Sequence, residues 1–244
     1  MILDLLKQNE GKKHFAILID PDKQDIARLP DLVKIVSQAN VSMILIGGSL
    51  VNSDISDIII KIKKHSNLPV VLFPGNALQF NKNADAILLL SLISGRNPEF
   101  LIGNHVLISG AIKSSGIEVI PTGYILIDGG VQTSVQYMSN TMPIPSSKID
   151  IAVSTAIAGE QLGLKVIYLE AGSGAKIPVP PEMITAVKKE ISIPLIVGGG
   201  LKNPIQVAAA WQAGADLVVV GNALENELDI LPQLAGIKII KNPE

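Results

Sequence analysis

The sequence predicts an α/β protein built as a single (β/α)8 barrel, and three observations support this fold class. Eight short apolar runs along the 244 residues alternate with segments that have helical periodicity. Hydrophobic residues make up 48% of the chain and aromatic residues only 3%, which favours parallel strands covered on both faces by aliphatic side chains. Short polar or glycine-bearing turns follow the runs. A chain of about 250 residues is typical of this barrel.

The predicted elements follow one another in a regular order. Residues 1–7 have apolar side chains at helical spacing and predict a short helix ahead of the sheet. The eight predicted strands are residues 14–19, 42–46, 70–73, 86–90, 118–127, 165–169, 193–197 and 217–220. The predicted helices between them are residues 29–39, 55–64, 98–113, 148–163, 180–191 and 203–213.

The middle of the chain is less regular than its ends. Gly103 and Gly110 weaken the helix at 98–113, so we expect an irregular helix after strand four or five. Pro121-Thr122-Gly123 predicts a bend or an interruption in the fifth strand, and residues 143–147 have the composition of a loop. Since no linker divides the chain, we assign residues 1–244 to one barrel domain. The alternative fold is an open doubly wound sheet. Such a sheet normally has one phosphate-binding turn after its first strand, whereas this chain has three glycine-bearing turns after its last three predicted strands.

The composition argues against several classes of protein. The net charge is -2 and the chain has no basic block, so we expect no nucleic-acid partner. The chain has no cysteine, which excludes disulfides, thiolate catalysis and zinc–thiolate sites. Asp4, Lys7 and Glu10 precede any long apolar run, so the N-terminal residues do not have the pattern of a signal peptide. No stretch of about 20 uninterrupted apolar residues, the length needed to span a bilayer, is found. We expect a cytoplasmic protein with at most peripheral membrane contact.

Three glycine-bearing turns follow the last three predicted strands. They are Gly172-Ser173-Gly174, Gly198-Gly199-Gly200 and Gly221-Asn222. Backbone N–H groups in such turns can bind phosphate without many cations, and a barrel brings the turns to one face. Each turn alone could equally be a tight connection, but three in series favour a phosphate site.

Two polar residues end the first two predicted strands. Asp20 precedes Pro21, and Ser49 closes the Gly47-Gly48-Ser49 turn. Mg²⁺ usually takes one or two protein carboxylates and completes its coordination with water and substrate phosphate, so this pair is a candidate metal site. The alternatives are a turn-capping aspartate and an N-cap serine. Asp22 is a weaker candidate for the same metal.

Glu170 ends the sixth predicted strand, where a carboxylate can act as a general base. Tyr168 lies two residues earlier on the same strand face and can hydrogen-bond a substrate hydroxyl or phosphate. The alternative role for Glu170 is an ion pair with Lys165 or Lys176. The three histidines, which lie on different elements without ligand spacing, are predicted to be non-catalytic: His14, His65 and His105.

These motifs together resemble the geranylgeranylglyceryl phosphate synthase family, whose bacterial relatives include heptaprenylglyceryl phosphate synthases. The matching segments are residues 19–23, 47–49, 72–75, 91–98, 121–124, 168–174, 198–200 and 221–222. The resemblance implies a (β/α)8 prenyltransferase that uses Mg²⁺. Such an enzyme transfers a geranylgeranyl group from its diphosphate to the 3-hydroxyl of sn-glycerol 1-phosphate and releases pyrophosphate. This reaction makes the first ether bond of archaeal-type lipids.

The resemblance also implies roles for individual residues. Asp20 and Ser49 would bind Mg²⁺, Glu170 would take the proton of the glycerol hydroxyl, and Tyr168 would orient the acceptor. The residues expected to bind glycerol 1-phosphate are Tyr168, Leu169, Glu170, Ala171, Gly172, Ser173, Gly174, Gly199, Gly200, Gly221 and Asn222. Leu18 stands where some relatives have a phosphate-binding lysine.

Further expectations from the resemblance concern assembly and the prenyl diphosphate. We expect a homo-oligomer, either a dimer or a hexamer. Arg96 would contact the diphosphate or lie at a subunit interface, and these alternatives stay open. The prenyl chain needs an apolar trough, which the sequence does not locate.

Two other functions remain compatible with the residues. One is another phosphate-binding barrel enzyme, such as a sugar-phosphate isomerase or epimerase. An aldolase is disfavoured because Lys165 begins its strand and Lys202 lies beyond a glycine turn, so neither is a good Schiff-base lysine. The other is a barrel that binds phosphate or isoprenoid without catalysis.

Overall fold

The computed structural model describes residues 1–7, 13–221 and 231–236, and eight parallel strands in this part of the chain close into a barrel in chain order. The predicted fold class is therefore confirmed. The strands are β1 His14–Ile19, β2 Met43–Ile46, β3 Val70–Leu72, β4 Ala86–Leu92, β5 Glu118–Leu126, β6 Val166–Glu170, β7 Leu195–Gly198 and β8 Leu217–Val220. Pairing of β1 with β8, for example Ala16 with Val219, closes the barrel.

The helices cover the outside of this barrel or connect its strands. They are α1 Ile2–Lys7, α2 Leu29–Gln38, α3 Ile55–His65, α4 Asn104–Ser115, α5 Ser134–Ser139, α6 Ile149–Gln161, α7 Pro181–Glu190, α8 Pro204–Gln212 and α9 Leu231–Ala235. Short 3-10 helices span Pro21–Lys23 and Ala77–Gln79, and a π-helix spans Glu99–Gly103. The π-helix, which leads into α4, confirms the irregular helix expected after strand four.

Alternate strand residues form two separate apolar layers, as the period-two geometry of strands requires. One layer fills the barrel interior and includes Ala16, Leu45 and Val219. The other lies between strands and helices and includes Ile17 and Ile44. Both layers are mainly aliphatic because the chain has few aromatic side chains, as the composition indicates.

Helix α1 closes the amino-terminal end of the barrel. Its Ile2 and Leu6 side chains are buried in the interior layer. The Glu118 carboxylate accepts hydrogen bonds from the backbone N–H groups of Ile2 at 2.6 Å and Leu3 at 2.9 Å, which satisfies the start of the helix. A substrate must therefore enter from the opposite, carboxyl-terminal face.

The predicted interruption of the fifth strand is wrong, because β5 runs through Pro121 for nine residues. Pro121 pairs with Leu89 of β4, and pairing of β5 with β6 begins only at Thr122. The carbonyl of Pro121 still accepts from the Lys165 N–H at 2.8 Å. Since Pro121 lies before the first β6 pair, its missing N–H removes no bond inside that ladder.

Candidate active site

A cavity of about 650 Å³ lies at the carboxyl-terminal ends of the strands. It brings together most of the residues that the sequence proposes for a site, although they come from distant parts of the chain. The proposed residues that line it are Asp20, Asp22, Ser49, Tyr168, Glu170, Ser173, Gly174, Gly199, Gly200 and Gly221. Leu18 also lines it, at the position where some relatives have a lysine.

Three of the proposed phosphate-binding residues do not line this cavity. Leu169 and Ala171 pack in the layer between strands and helices, and the Ala171 N–H donates to the Gly198 carbonyl at 3.0 Å. The Gly172 N–H donates to Glu170. These residues shape the turn after β6. Asn222 lies outside the described residues.

Glu170 is the last residue of β6, and the residue is 6% exposed. Its Oε1 atom accepts a hydrogen bond from the Gly172 N–H at 2.7 Å. A Cβ atom at Gly199 would overlap this oxygen, and one at Gly198 would lie 2.9 Å from Oε2. The glycines therefore leave the space that the carboxylate occupies.

Burial raises the pKa of Glu170 to about 7, although the Gly172 hydrogen bond opposes the change. Among the described residues Glu170 forms no ion pair, so the alternative role with Lys165 or Lys176 is wrong. A carboxylate with a pKa near neutrality can accept and release a proton at physiological pH, which suits a general base.

Tyr168 belongs to an aromatic cluster in the upper barrel with Phe73 and Tyr124. Its ring lies 5.2 Å from that of Phe73 and 5.4 Å from that of Tyr124. Its hydroxyl is buried next to Gly198 and faces the Glu170 carboxylate, yet it makes no hydrogen bond of good geometry within the described chain. Burial and the charge of Glu170 raise the pKa of Tyr168, so its hydroxyl stays a donor. A buried unpaired hydroxyl is rare and suits a ligand contact.

The turn after β7 contributes Gly199 and Gly200 to the lining of the cavity. Gly199 and Gly200 have φ angles of +78° and +70°, which residues other than glycine rarely adopt. Across the described residues we find no intramolecular acceptor for the N–H groups of Gly174, Gly199 and Gly200. Backbone amides without an intramolecular acceptor can bind an anion such as phosphate.

Asp20 lines the same cavity from the loop after β1 and also caps the 3-10 helix at Pro21–Lys23. Its Oδ1 atom accepts from the Asp22 N–H at 3.1 Å, and Oδ2 lies 3.3 Å from the Lys23 ammonium. The turn-capping role is thus confirmed, while the carboxylate still faces the cavity. Ser49 lines the same cavity, and since Asp54 is the N-cap of α3, the N-cap alternative for Ser49 is wrong.

Asp22 holds the loop that follows β2. Its carboxylate accepts from the N–H groups of Ser53 at 2.7 Å and Asn52 at 2.9 Å, and from the Asn52 side chain at 3.1 Å. These hydrogen bonds, first those of Ser53, lower the pKa of Asp22 to about 2. Its oxygens are therefore engaged by protein donors, which makes it a poorer metal ligand than Asp20.

The donor chemistry at Asp20 and Ser49 fits Mg²⁺. No group of three or more His, Cys, Asp or Glu side chains that could hold a metal is found in the described ranges, so a metal held by protein ligands alone has no site there. A single carboxylate and a hydroxyl beside an open cavity match the way Mg²⁺ shares its coordination sphere with water and substrate phosphate.

Gln79 is a feature of the site that the sequence did not reveal. It ends the 3-10 helix Ala77–Gln79, is 3% exposed, and joins the loops after β2 and β3. Its Oε1 atom accepts from the N–H groups of Gly48 at 3.3 Å and Gly75 at 3.2 Å, and its Nε2 atom donates to the Gly48 carbonyl at 2.7 Å. A lone glutamine in a turn carries no sequence signal for such a role.

An apolar chamber of about 80 Å³ adjoins the cavity. The two share Gly48, Ser49, Phe73, Tyr124 and Val135 in their linings. The other apolar side chains around the chamber include Leu89, Leu90, Leu92, Phe100, Ile108 and Met138. They come from β4, from the π-helix and α4, and from α5, which the sequence did not predict. The chamber is therefore a product of tertiary packing.

Arg96 and His14 do not line the cavity or the chamber, whereas His105 lines the apolar chamber. Arg96 is exposed, donates to the Gly95 carbonyl at 2.8 Å, and borders a separate surface depression with Met142. His14 lies 3.0 Å from the Ser42 hydroxyl, and His105 lies 2.8 Å from the Leu90 carbonyl. In the described segments, no helix is long and apolar enough to cross a membrane.

Comparisons with known proteins agree with the resemblance drawn from the motifs. The PcrB family matches residues 7–237. A geranylgeranylglyceryl phosphate synthase of Spirosoma linguale is 50% identical over 228 residues, which cover 93% of this chain and 92% of that protein.

Two solved structures with the same function name have the same fold. The wild-type enzyme of Thermoplasma volcanium superposes with a TM-score of 0.91 at 33% identity and covers 97% of this chain and 96% of its own. The enzyme of Thermoplasma acidophilum, in complex with its substrate sn-glycerol 1-phosphate, gives a TM-score of 0.89 at 30% identity and covers 96% of each chain.

Proposed function

The chain belongs to the PcrB family, and from this membership we propose that it is a geranylgeranylglyceryl phosphate synthase. The enzyme transfers the geranylgeranyl group of geranylgeranyl diphosphate to the 3-hydroxyl of sn-glycerol 1-phosphate. The observation that carries the proposal is the buried Glu170 carboxylate, which lies beside the Tyr168 hydroxyl and the amides of the glycine turns.

The acceptor end of the cavity consists of Tyr168, Glu170 and the turns after β6, β7 and β8. The amides of Gly174, Gly199 and Gly200 bind the phosphate of sn-glycerol 1-phosphate, which compensates for Leu18 at a position where a lysine could have helped. The Tyr168 hydroxyl donates to the acceptor and orients it. Glu170 takes the proton of the glycerol 3-hydroxyl. The oxygen of that hydroxyl then bonds to C1 of the prenyl chain while the bond from C1 to the diphosphate breaks.

The donor end consists of Asp20, Ser49 and the loops after β1, β2 and β3. We propose that Asp20 and Ser49 hold Mg²⁺ together with the diphosphate of the prenyl donor. When bound, the ion neutralises the charge that develops on the pyrophosphate leaving group. Lys23, 3.3 Å from Asp20, keeps the carboxylate aligned with the cavity.

The apolar chamber is the proposed start of the prenyl trough. Phe73 and Tyr124 lie between it and the cavity, so C1 of the donor can face Glu170 while its isoprene units contact aliphatic side chains. Transfer of such units from water to an apolar wall is favourable by about 0.8 kcal/mol per buried methylene. Geranylgeranyl as the preferred chain length, assembly as a dimer or hexamer, and cytoplasmic location stay predictions.

The direct test is an assay of the purified protein with sn-glycerol 1-phosphate, geranylgeranyl diphosphate and Mg²⁺. We expect geranylgeranylglyceryl phosphate and pyrophosphate in equal amounts, measured by mass spectrometry and a pyrophosphate assay. The absence of product with every prenyl donor from C15 to C35 would overturn the proposal. Parallel incubation with sugar phosphates tests the isomerase alternative, for which we expect no conversion.

A further inference from the structure

The loop that carries Ser49 is anchored at both ends by side chains that do not belong to it. Asp22 binds the backbone of Asn52 and Ser53 at the far end of this loop. Gln79 binds both the N–H and the carbonyl of Gly48 at the near end, one residue before Ser49. Ser49 therefore lies next to a fixed point of the backbone.

Gln79 fixes two loops with one buried amide group. Its Oε1 atom accepts from Gly48 and from Gly75, which belong to the loops after β2 and β3. These loops touch closely: a Cβ atom at Gly75 would overlap the Gly48 carbonyl and would lie 2.9 Å from the Ser49 Cα atom. The hydrogen bonds of Gln79 thus fix the distance between the Ser49 backbone and the loop after β3.

The same arrangement sets the position of Ser49 relative to Asp20. The Cβ position of Gly48 lies 3.5 Å from the Asp20 Oδ1 atom, so the Gly48 backbone packs against that carboxylate. From this geometry we infer that Gln79 is a positioning residue for the donor end, which holds Ser49 beside Asp20 for Mg²⁺ and diphosphate. The inference rests on the proposed function for the roles of these ligands. It concerns no residue of the acceptor end.

The test is a pair of binding titrations by calorimetry, one with inorganic pyrophosphate in the presence of Mg²⁺ and one with sn-glycerol 1-phosphate. Gln79→Met keeps the length and apolar volume of the side chain but removes all three hydrogen bonds. Since groups that orient metal ligands typically contribute 10- to 100-fold to affinity, we expect Mg²⁺–pyrophosphate to bind at least about tenfold more weakly. Binding of sn-glycerol 1-phosphate should change less than twofold, which also shows that the barrel is folded.

Two conservative comparisons sharpen the result. Gln79→Glu retains an acceptor for both glycine amides but loses the donor to the Gly48 carbonyl, so its affinity for Mg²⁺–pyrophosphate should fall between wild type and Gln79→Met. The matched control is Gln38→Met on the exposed face of α2, which should bind both ligands as wild type does.

A second variant tests the loop without touching Gln79. Gly75→Ala inserts a Cβ atom where the Gly48 carbonyl lies, so it should displace the Ser49 loop and produce the same selective loss. The inference is overturned if Mg²⁺–pyrophosphate affinity is unchanged, or if both ligands lose affinity equally. Turnover by the wild-type protein is measured separately, so a failure of the proposed function is distinguished from a failure of the role of Gln79.

Discussion

The acceptor end of the cavity is made by the ends of neighbouring strands, whereas the donor end is made by loops that other side chains hold in place. Tyr168 and Glu170 lie within β6, and the adjacent glycines belong to β7 or follow it directly. Ser49, in contrast, lies in a loop that Gln79 and Asp22 anchor from elsewhere. The barrel ladder thus fixes the acceptor end, but long-range hydrogen bonds fix the donor end.

This difference predicts that the two ends respond differently to substitution. Changes at the acceptor end should affect the chemical step while leaving the frame of the site intact. Changes at the donor end should affect affinity for the metal and the diphosphate, and added Mg²⁺ should compensate for part of the loss. Three experiments test this contrast, beginning with the largest expected effect.

Glu170→Gln should lower kcat by about 1,000-fold, because general-base catalysis contributes roughly 10² to 10⁴ and glutamine cannot take the proton. The variant keeps an oxygen for the Gly172 N–H, so binding of sn-glycerol 1-phosphate should stay within about threefold of wild type. Single-turnover product formation and calorimetry measure the two quantities. Glu182→Gln on the exposed face of α7 is the matched control. Wild-type turnover in Glu170→Gln would remove Glu170 from the base role.

Asp20→Asn should lower kcat/KM by about 100-fold at low Mg²⁺, since a neutral amide is a poorer ligand for a hard cation. Asparagine still caps a helix, so the 3-10 helix at Pro21–Lys23 should persist. Titration of activity against Mg²⁺ should show partial recovery at high concentration. Asp31→Asn on the exposed face of α2 should behave as wild type. Activity that does not depend on Mg²⁺ would contradict the metal role of Asp20.

The pH dependence of kcat/KM should follow the ionisation of Glu170. Burial raises its pKa to about 7, so activity should fall about tenfold per pH unit well below that value and level off above it.

Ionisation of Glu170 should also lower the stability of the folded protein. The folded state retains this proton above the pKa of about 4.3 expected in the unfolded chain, so the free energy of unfolding should decrease between those values as pH rises. Thermal melts of Glu170→Gln should lack this decrease, and a flat rate profile from pH 5 to 8 would contradict the assignment.

Much of the fold could be predicted because each strand carries its own signal. The bounds of β1 and β8 agree with the prediction, as these runs are apolar and end at Asp20 and Gly221. The π-helix after β4 was expected only as an irregularity, and the six-residue helix α5 was missed. Pro121 was misread because the effect of a proline depends on which neighbouring strand needs its N–H.

The candidate site was predictable only where its residues follow strands. Asp20, Glu170 and the glycine turns could be found in this way, and the resemblance to a known family supplied their expected roles. The apolar chamber, the orphan hydroxyl of Tyr168 and the reassignment of Asp22 as a loop anchor could not, because each depends on which side chains meet across the barrel.

The sequence by itself determined the order of strands and helices, the aliphatic core and the polar strand ends, because periodicity and local turn chemistry are properties of neighbouring residues. Only the tertiary structure decided which of these groups share a cavity and what electrostatic environment each of them has. Closure of the barrel buries Glu170 beside Tyr168, and this burial raises the pKa of Glu170 to about 7. It also brings Gln79, from the loop after β3, to the loop that carries Ser49. Burial and long-range contact arise only when the whole chain has folded.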